Sequence, residues 1–421
     1  MYLCTPVILY RLASRGLRYH EYFSRWRERF GFFPDPDLHD STWVHAVSVG
    51  EVNAAVPLIE ALLRHYPQRP CVVTTITPTG SERVRKLFGE RVFHVYLPYD
   101  LPASVRRFLD RVKPRFGVIM ETEIWPNLFY ECQARGLPLI VANARLSERS
   151  LRGYGPVRSL ARAAIRSAQR VAAQSHADAK RFEMLGADPA RITITGNLKF
   201  DMSVPTQWLV DGHDMREVWG GARPVWIAAS THEGEELAVL EAHLQVLRRL
   251  PDALLLIAPR HPERFRAAEQ AGRNLGFKIA IRSEQGLPGP ATQCFIIDSM
   301  GELMRFYAAA DVAFVGGSFV SIGGHNVLEP AALAKPVLVG PYTFNFAEIT
   351  RTLVQAGGAI QIEDVKQLGA AVTDLLSHAE KCQSMGIKAC AVFDGERGAV
   401  GRTLALIDGL LTPDAKALAT D

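Results

Sequence analysis

The sequence predicts an α/β protein made of two successive doubly wound domains, each a parallel sheet wrapped by helices. Three observations carry that prediction. Short apolar runs alternate with segments of helical period through two long stretches, the pattern of consecutive βαβ units. The alternation lapses at 204–223, where Pro205, Gly212, Gly220 and Gly221 interrupt it, and then resumes. The length, 421 residues, also exceeds the size at which a single hydrophobic core keeps growing.

Composition narrows the class. Hydrophobic residues at 48% and charged residues at 22% describe an ordinary folded body rather than a disordered or membrane-filling one. Cys4, Cys71, Cys132, Cys294, Cys382 and Cys390 are scattered with no ligand-like spacing, so neither a zinc site nor a disulfide framework is expected, and a reducing compartment fits. No short-period repeat or sustained low-complexity segment is present.

The first 35 residues form an arm. Residues 1–10 are apolar but too few to span a bilayer as a helix, which takes about 20. No basic stretch precedes them and no small-residue cleavage site follows, so a secretory signal is not indicated. Arg11, Arg15, Arg18, Arg25, Arg27 and Arg29 are then interleaved with Tyr19, Tyr22, Phe23, Trp26 and Phe30. That composition suits a segment lying in the interface of an anionic membrane, and equally an arm docked on the chain's own body. We assign 1–35 as a membrane-interface arm. Nucleic acid is not an expected partner, because no recognised nucleic-acid module accompanies the basic residues.

The first domain is assigned to 36–203. Strands are expected at 43–47, 71–76, 94–97, 116–120, 137–142, 170–173 and 191–195, with helices at 53–64, 81–88, 103–112, 125–135, 157–167 and 177–185. The turn Ser48-Val49-Gly50 brings Glu51 to the carboxyl end of the first strand, where open α/β sheets place their working groups. Glu51 there reads either as a first-turn residue suited to the helix dipole or as a base, if its surroundings are dry enough. Glu121 and Glu123 end another strand, on one side of it by alternation. Lys199 follows a Gly-Asn turn, placed to meet an anionic group. Arg158, Arg162, Arg166 and Arg170 recur every four residues, and Arg145, Arg149 and Arg152 precede them. A helical stripe of one sign points to a polyanion, whether substrate phosphates or lipid headgroups, over a merely solvated face.

Residues 204–223 are assigned as a linker and 224–421 as the second domain. Strands are expected at 225–229, 253–258, 278–282, 295–298, 312–315 and 336–339, with helices at 235–250, 301–309 and 327–333. The final helical stretch, roughly 390–411, can cross back over the first domain. The segment 228–236 echoes the turn at 47–51, a sign of two similarly built halves. Arg260 and His261 follow one strand, the arginine suited to a phosphate or carboxylate. Gly316-Gly317 and Gly323-Gly324-His325-Asn326 precede a helix start, a pattern that lets backbone approach a nucleotide phosphate, with Glu329 placed for ribose hydroxyls.

These blocks also match a family in order. HAVSVGE (45–51), TTITPTGSERV (74–84), YLPYD (96–100), METEIWPN (120–127), NARLSERS (143–150) and GNLKFD (196–201) lie in the first half. STHEGEE (230–236), PRHPERF (259–265), MGELM (300–304), FVGGS (314–318), GGHNVLEPA (323–331) and GPYTFNF (340–346) lie in the second. Together they resemble the 3-deoxy-D-manno-octulosonic acid (Kdo) transferases of lipopolysaccharide synthesis, over residues from about 20 to 400. The resemblance implies a GT-B glycosyltransferase, two Rossmann-like domains facing a cleft, that moves Kdo from CMP-Kdo to a lipid A precursor, lipid IVA. It places the enzyme at the cytoplasmic face of a Gram-negative inner membrane. It makes Glu51 the general base and gives Glu121 and Lys199 the stabilisation of the transition state. It assigns Pro259, Arg260, Met300, Gly301, Glu302, Asn326, Val327, Leu328 and Glu329 to binding CMP. The scheme calls for no metal or cofactor, and no histidine-rich ligand set argues for one. The family begins with a longer apolar anchor than residues 1–10 offer, so a monotopic attachment is expected. Two other readings remain at this stage: a UDP-sugar transferase or epimerase of the same fold, and a catalytically silent nucleotide-sugar-binding protein.

Overall fold

The computed structural model describes residues 20–411. The chain divides into two units, 1–202 with 396–421, and 203–395.

The first unit holds a seven-stranded parallel sheet: β1 Ser41–His45, β2 Cys71–Thr75, β3 Phe93–Tyr96, β4 Pro114–Met120, β5 Leu139–Ala144, β6 Arg170–Ala173 and β7 Ile192–Ile194. Their order is β3-β2-β1-β4-β5-β6-β7, so the winding reverses between β1 and β4. All five residues of β1, and the last five of β4, are buried, as expected of strands covered on both faces. Trp43 pairs in register with Gly117, and a side chain on Gly117 would lie 2.7 Å from the Trp43 ring. The glycine therefore admits the tryptophan at the reversal. The helix Val49–His65 follows β1 and puts Glu51 in its first turn.

The second unit has the same construction: β8 Val225–Thr231, β9 Leu254–Pro259, β10 Ile279–Ile281, β11 Cys294–Ile296, β12 Val312–Val315, β13 Val337–Val339 and β14 Ala359–Gln361. The order is β10-β11-β9-β8-β12-β13-β14, and the reversal falls between β8 and β12.

Several stretches differ from the sequence expectation. Most of the assigned linker is the helix Thr206–Trp219, which belongs to the second unit. Gly212 is not a breaker there: a Cβ would come within 2.5 Å of Ala308, so the glycine permits close packing on the helix Leu303–Ala309. The second unit ends at Gly395, and the closing helix Ala399–Leu411 belongs to the first. Arg170 opens β6 instead of extending the helix Arg158–Ser167.

The described part of the arm is docked. Arg25 donates to the His94 carbonyl at 3.0 Å, and Arg29 is buried, its guanidinium 4.2 Å from the Tyr96 ring centroid. Arg107 donates to the Phe30 carbonyl at 2.7 Å. Phe23, Trp26, Arg27 and Phe32 remain exposed. Arg11, Arg15, Arg18 and Tyr19 lie outside the described residues.

The closing helix is tied down by Asp201, whose carboxylate accepts the Gly398 and Val400 N–H groups at the helix start. Asp408 accepts from the Tyr66 hydroxyl at 2.5 Å and meets His65 at 3.0 Å. Asp201→Ala removes two charge-assisted bonds, so the amides of 396–411 should lose about 1–3 kcal/mol of protection in native-state hydrogen exchange while β1 and β4 keep theirs.

Candidate active site

Open α/β sheets bind ligands outside the carboxyl ends of their strands where the winding reverses. In the first unit that point lies between β1 and β4. Glu51 arrives from β1, and Glu121 and Glu123 from β4. The Glu51 carboxylate accepts the Val47 N–H at 2.8 Å. Burial pushes its pKa up to about 8, with the nearby Glu121 and Glu123 adding to the rise, against the Val47 and Ser48 hydrogen bonds that lower it. Position at a helix N-terminus would hold a carboxylate acidic, but here desolvation outweighs it. Glu123 accepts the Trp125 indole N–H at 3.0 Å and is itself raised by burial.

Lys199, in the turn after β7, lies near Glu121. Burial lowers its pKa, Glu121 opposes that, and Arg145 adds to it. Two asparagines build its turn. Asn197 Oδ1 accepts the Lys199 N–H at 3.0 Å, and Asn143 Oδ1 accepts the Leu198 N–H at 3.0 Å. Asn143 is fully buried with φ +52°, and sequence reasoning gave it no role. Asp100 was likewise unassigned. It accepts the Asn127 and Leu128 N–H groups at 3.0 and 2.8 Å, fixing the helix Pro126–Ala134 that follows Glu123.

The second unit answers differently at the matching turn. Glu235, aligned with Glu51 by the echo of the two turns, is fully buried. Its oxygens accept the N–H groups of His232 at 2.9 Å, Gly317 at 2.7 Å, Ser318 at 3.0 Å and Phe319 at 2.8 Å. This corrects the phosphate-loop reading of Gly316-Gly317, because the Gly317 N–H is already engaged by that carboxylate and the Gly316 N–H by the Ala229 carbonyl. The glycines serve packing: a Cβ on Gly316 would lie 2.7 Å from the Ser230 carbonyl, and one on Gly317 2.8 Å from His325.

The residues assigned to CMP are distributed over several loops of this unit. Pro259 ends β9 and Arg260 beyond it is exposed. Met300 is exposed, and Gly301 has φ +91° with open space where a Cβ would be. Glu302 instead pairs with Arg282 at 2.8 Å and with Arg305 at 3.3 Å, and the Arg282 hydrogen bond holds its pKa down at about 2. Asn326 Oδ1 accepts the Leu328 N–H at 3.2 Å and its amide donates to Glu329 at 3.1 Å, while Val327 and Leu328 are buried. Glu302, Val327 and Leu328 thus shape the loops, and Arg260, Met300 and Asn326 offer solvent-facing surface. Among the described residues, no group of three or more His, Cys, Asp and Glu side chains is arranged to hold a metal ion.

Two doubly wound parallel sheets, each with its polar groups at the reversal, give the chain the GT-B type of fold. The fold is shared with UDP-GlcNAc 2-epimerase from Neisseria meningitidis bound to UDP-GlcNAc, at a TM-score of 0.61 and 13% identity, over 88% of this chain and 100% of that one. Sequence is more specific. The family model described as 3-Deoxy-D-manno-octulosonic-acid transferase (kdotransferase) matches residues 24–202. A 3-deoxy-D-manno-octulosonic acid transferase from Haemophilus influenzae is 42% identical over 411 residues, 96% of each chain. One from Bordetella pertussis is 39% identical over 432 residues, 96% of this chain and 99% of that one. The chain belongs to the 3-deoxy-D-manno-octulosonic acid transferase family and is a glycosyltransferase.

The twin glutamates should respond oppositely to the same substitution. Glu235→Gln turns a donor toward two backbone N–H groups and should lower stability by about 2–5 kcal/mol, read as a fall in Tm. Glu51 has a folded pKa near 8 against 4.5 in the unfolded chain, so the fold binds the extra proton and loses stability as pH rises through that interval. Glu51→Gln is free of that loss and should melt higher than wild type above about pH 8.

Proposed function

We propose that this enzyme transfers Kdo from CMP-Kdo to a lipid A precursor, lipid IVA, with inversion, and that Glu51 is the general base. The observation that carries the reading is the Glu51 carboxyl itself, buried beside Glu121 and Glu123 with its pKa pushed up to about 8. A base in that range can take a sugar hydroxyl's proton near neutral pH. In this reading the acceptor hydroxyl attacks the anomeric carbon as its proton passes to Glu51, and CMP leaves from the opposite face. Lys199, held by Asn143 and Asn197 close to Glu121, offsets negative charge as it develops, with Glu121 fixing the ammonium. Pro259, Arg260, Met300, Gly301, Glu302 and Asn326, Val327, Leu328 and Glu329 form or shape the CMP site. Family membership supports Kdo as the sugar, and the charge of its carboxylate and of the phosphate suits the cationic groups present.

The acceptor's phosphates and the anionic inner-membrane surface share a partner in the first unit. Arg158, Arg162 and Arg166 are exposed along the helix Arg158–Ser167, with Val157, Leu160 and Met184 exposed beside them. Cations next to apolar side chains suit a headgroup layer. Among the described residues no helix is long and apolar enough to cross a membrane. We read the attachment as monotopic, at the cytoplasmic face, from these exposed arginines and the apolar side chains beside them.

The test is transfer from CMP-Kdo to a tetraacylated lipid A precursor. Wild-type rate should rise with pH through about 8 and level off above it. Glu51→Gln should lose at least about 100-fold in rate while still binding CMP. Glu121→Gln removes one repelling charge and should move the remaining rise to lower pH. A wild type that binds CMP yet transfers nothing would sink the acceptor assignment. Replacing Arg158, Arg162 and Arg166 together by Ala should weaken partitioning onto anionic vesicles by about 100-fold, at roughly 1 kcal/mol per arginine, and leave partitioning onto neutral vesicles unchanged.

A further inference from the structure

The second unit carries a cluster of basic side chains that the assignments above do not use. His232 follows the bulge at the end of β8, His261 follows Arg260 beyond β9, and His325 lies in the loop after β12. The Nε2 atoms of His232 and His325 are 2.7 Å apart, and the rings are parallel within 3°. His261 meets His232 edge-on at 5.3 Å between centroids. The arrangement is built in: Glu235 holds the His232 N–H, and Gly317 leaves room for the His325 ring. Among the described residues Arg260 and His261 have no ion pair.

The charged groups around the pair are few. Glu235 is saturated by backbone amides, and Glu236 pairs with Arg264 at 3.1 Å. Arg260 and His261 face both rings, and His232 faces His325. Burial lowers both histidines, His325 to about 4; Arg260 and His261 add to the fall in each, while the Glu235 and Glu236 charges oppose it at His232. Burial therefore favours the neutral pair when the site is empty.

A separation of 2.7 Å between two Nε2 atoms accommodates one proton, not two. One ring donates from Nε2 and has a bare Nδ1, while the other accepts at Nε2 and carries its proton on Nδ1. A third proton, on the bare Nδ1, keeps the bond between the rings and makes both rings donors. A fourth would break that bond.

We propose that His232 and His325 form a phosphate-recognition pair that takes up one proton from solvent when a nucleoside phosphodiester binds beside Arg260. One N–H bond forms at the bare Nδ1 and no bond within the protein breaks. The added charge is present only while the anion is, so the empty site is spared an uncompensated cation. The proposal rests on the CMP-Kdo reading for the identity of the ligand and adds to it the groups that meet the phosphate.

The experiment is calorimetric titration with the methyl ester of CMP, which lacks the ionisation near about pH 6 of a phosphomonoester. Runs in buffers of different ionisation enthalpy count the protons. Wild type should take up close to one proton per ligand at about pH 6, and its affinity should fall by up to about 10-fold per pH unit as pH rises. His325→Gln and, separately, His232→Gln should bind with no net uptake and little dependence on pH. Tight binding by wild type without uptake overturns the pair and leaves the CMP reading standing, as does uptake unchanged in both variants. No binding by wild type overturns the CMP reading, and the pair falls with it.

Discussion

A carboxylate taken out of water must be met by donors or must hold its proton, and both sheets are arranged around that rule. In the second unit Glu235 is met completely. Its four backbone N–H partners join the end of β8 to the loop after β12, across the reversal of the sheet. In the first unit the matching carboxylate has one backbone donor and two carboxylates nearby. The same turn therefore yields a clamp in one half and a basic group in the other. Nothing in the turn itself decides which. The decision lies in what the strand across the reversal delivers: free amides from β12, or Glu121 and Glu123 from β4.

That division explains what could be read from the sequence. Strands buried on both faces are apolar runs, so their number and alternation were legible in nearly every case. Glycine was less legible because its reason is spatial. Gly212 reads as a breaker and is a helix contact, and Gly316 and Gly317 read as a phosphate cradle and are spacers. Glu51 was legible as a position, since a small-residue turn after a strand marks it. Its basicity was not, because it comes from burial, to which Glu121 and Glu123 at the end of β4 add, and the turn itself shows neither. Asn143 and Asp100 act through hydrogen bonds to backbone far along the chain, and no local pattern announces such a partner.

The arginines make the same point. Arg29 lies over Tyr96 and Arg107 over the Phe32 ring, each 4.2 Å from the centroid. Composition suggested a membrane-facing arm, yet the chain supplies the aromatic faces and carbonyls for several of these cations itself. Arg158, Arg162 and Arg166 are exposed instead, although Arg158 also donates to a chain carbonyl, that of Met184. An arginine-rich stretch therefore says that an anion or an aromatic face is wanted, not which molecule provides it.

Backbone strain recurs at the same strand ends. Glu121, Asn143 and Ser230 all have φ between +52° and +56°, in the left-handed region that side chains other than glycine disfavour. Each such residue costs about 1–3 kcal/mol and persists only where its surroundings over-determine it. Glu121 donates its N–H to the Ala142 carbonyl at 2.9 Å, and Asn143 holds the Leu198 N–H. Ser230 sits at the register shift of β8, with its carbonyl against Gly316. These residues end β4, interrupt β5 and interrupt β8, beside the polar groups at the strand ends. A regular strand would carry its next side chain through the sheet's alternation. The left-handed residue breaks that alternation and sends the following loop across the strand ends, which is how Glu121, the Lys199 turn and the Glu235 clamp come to lie where each sheet reverses.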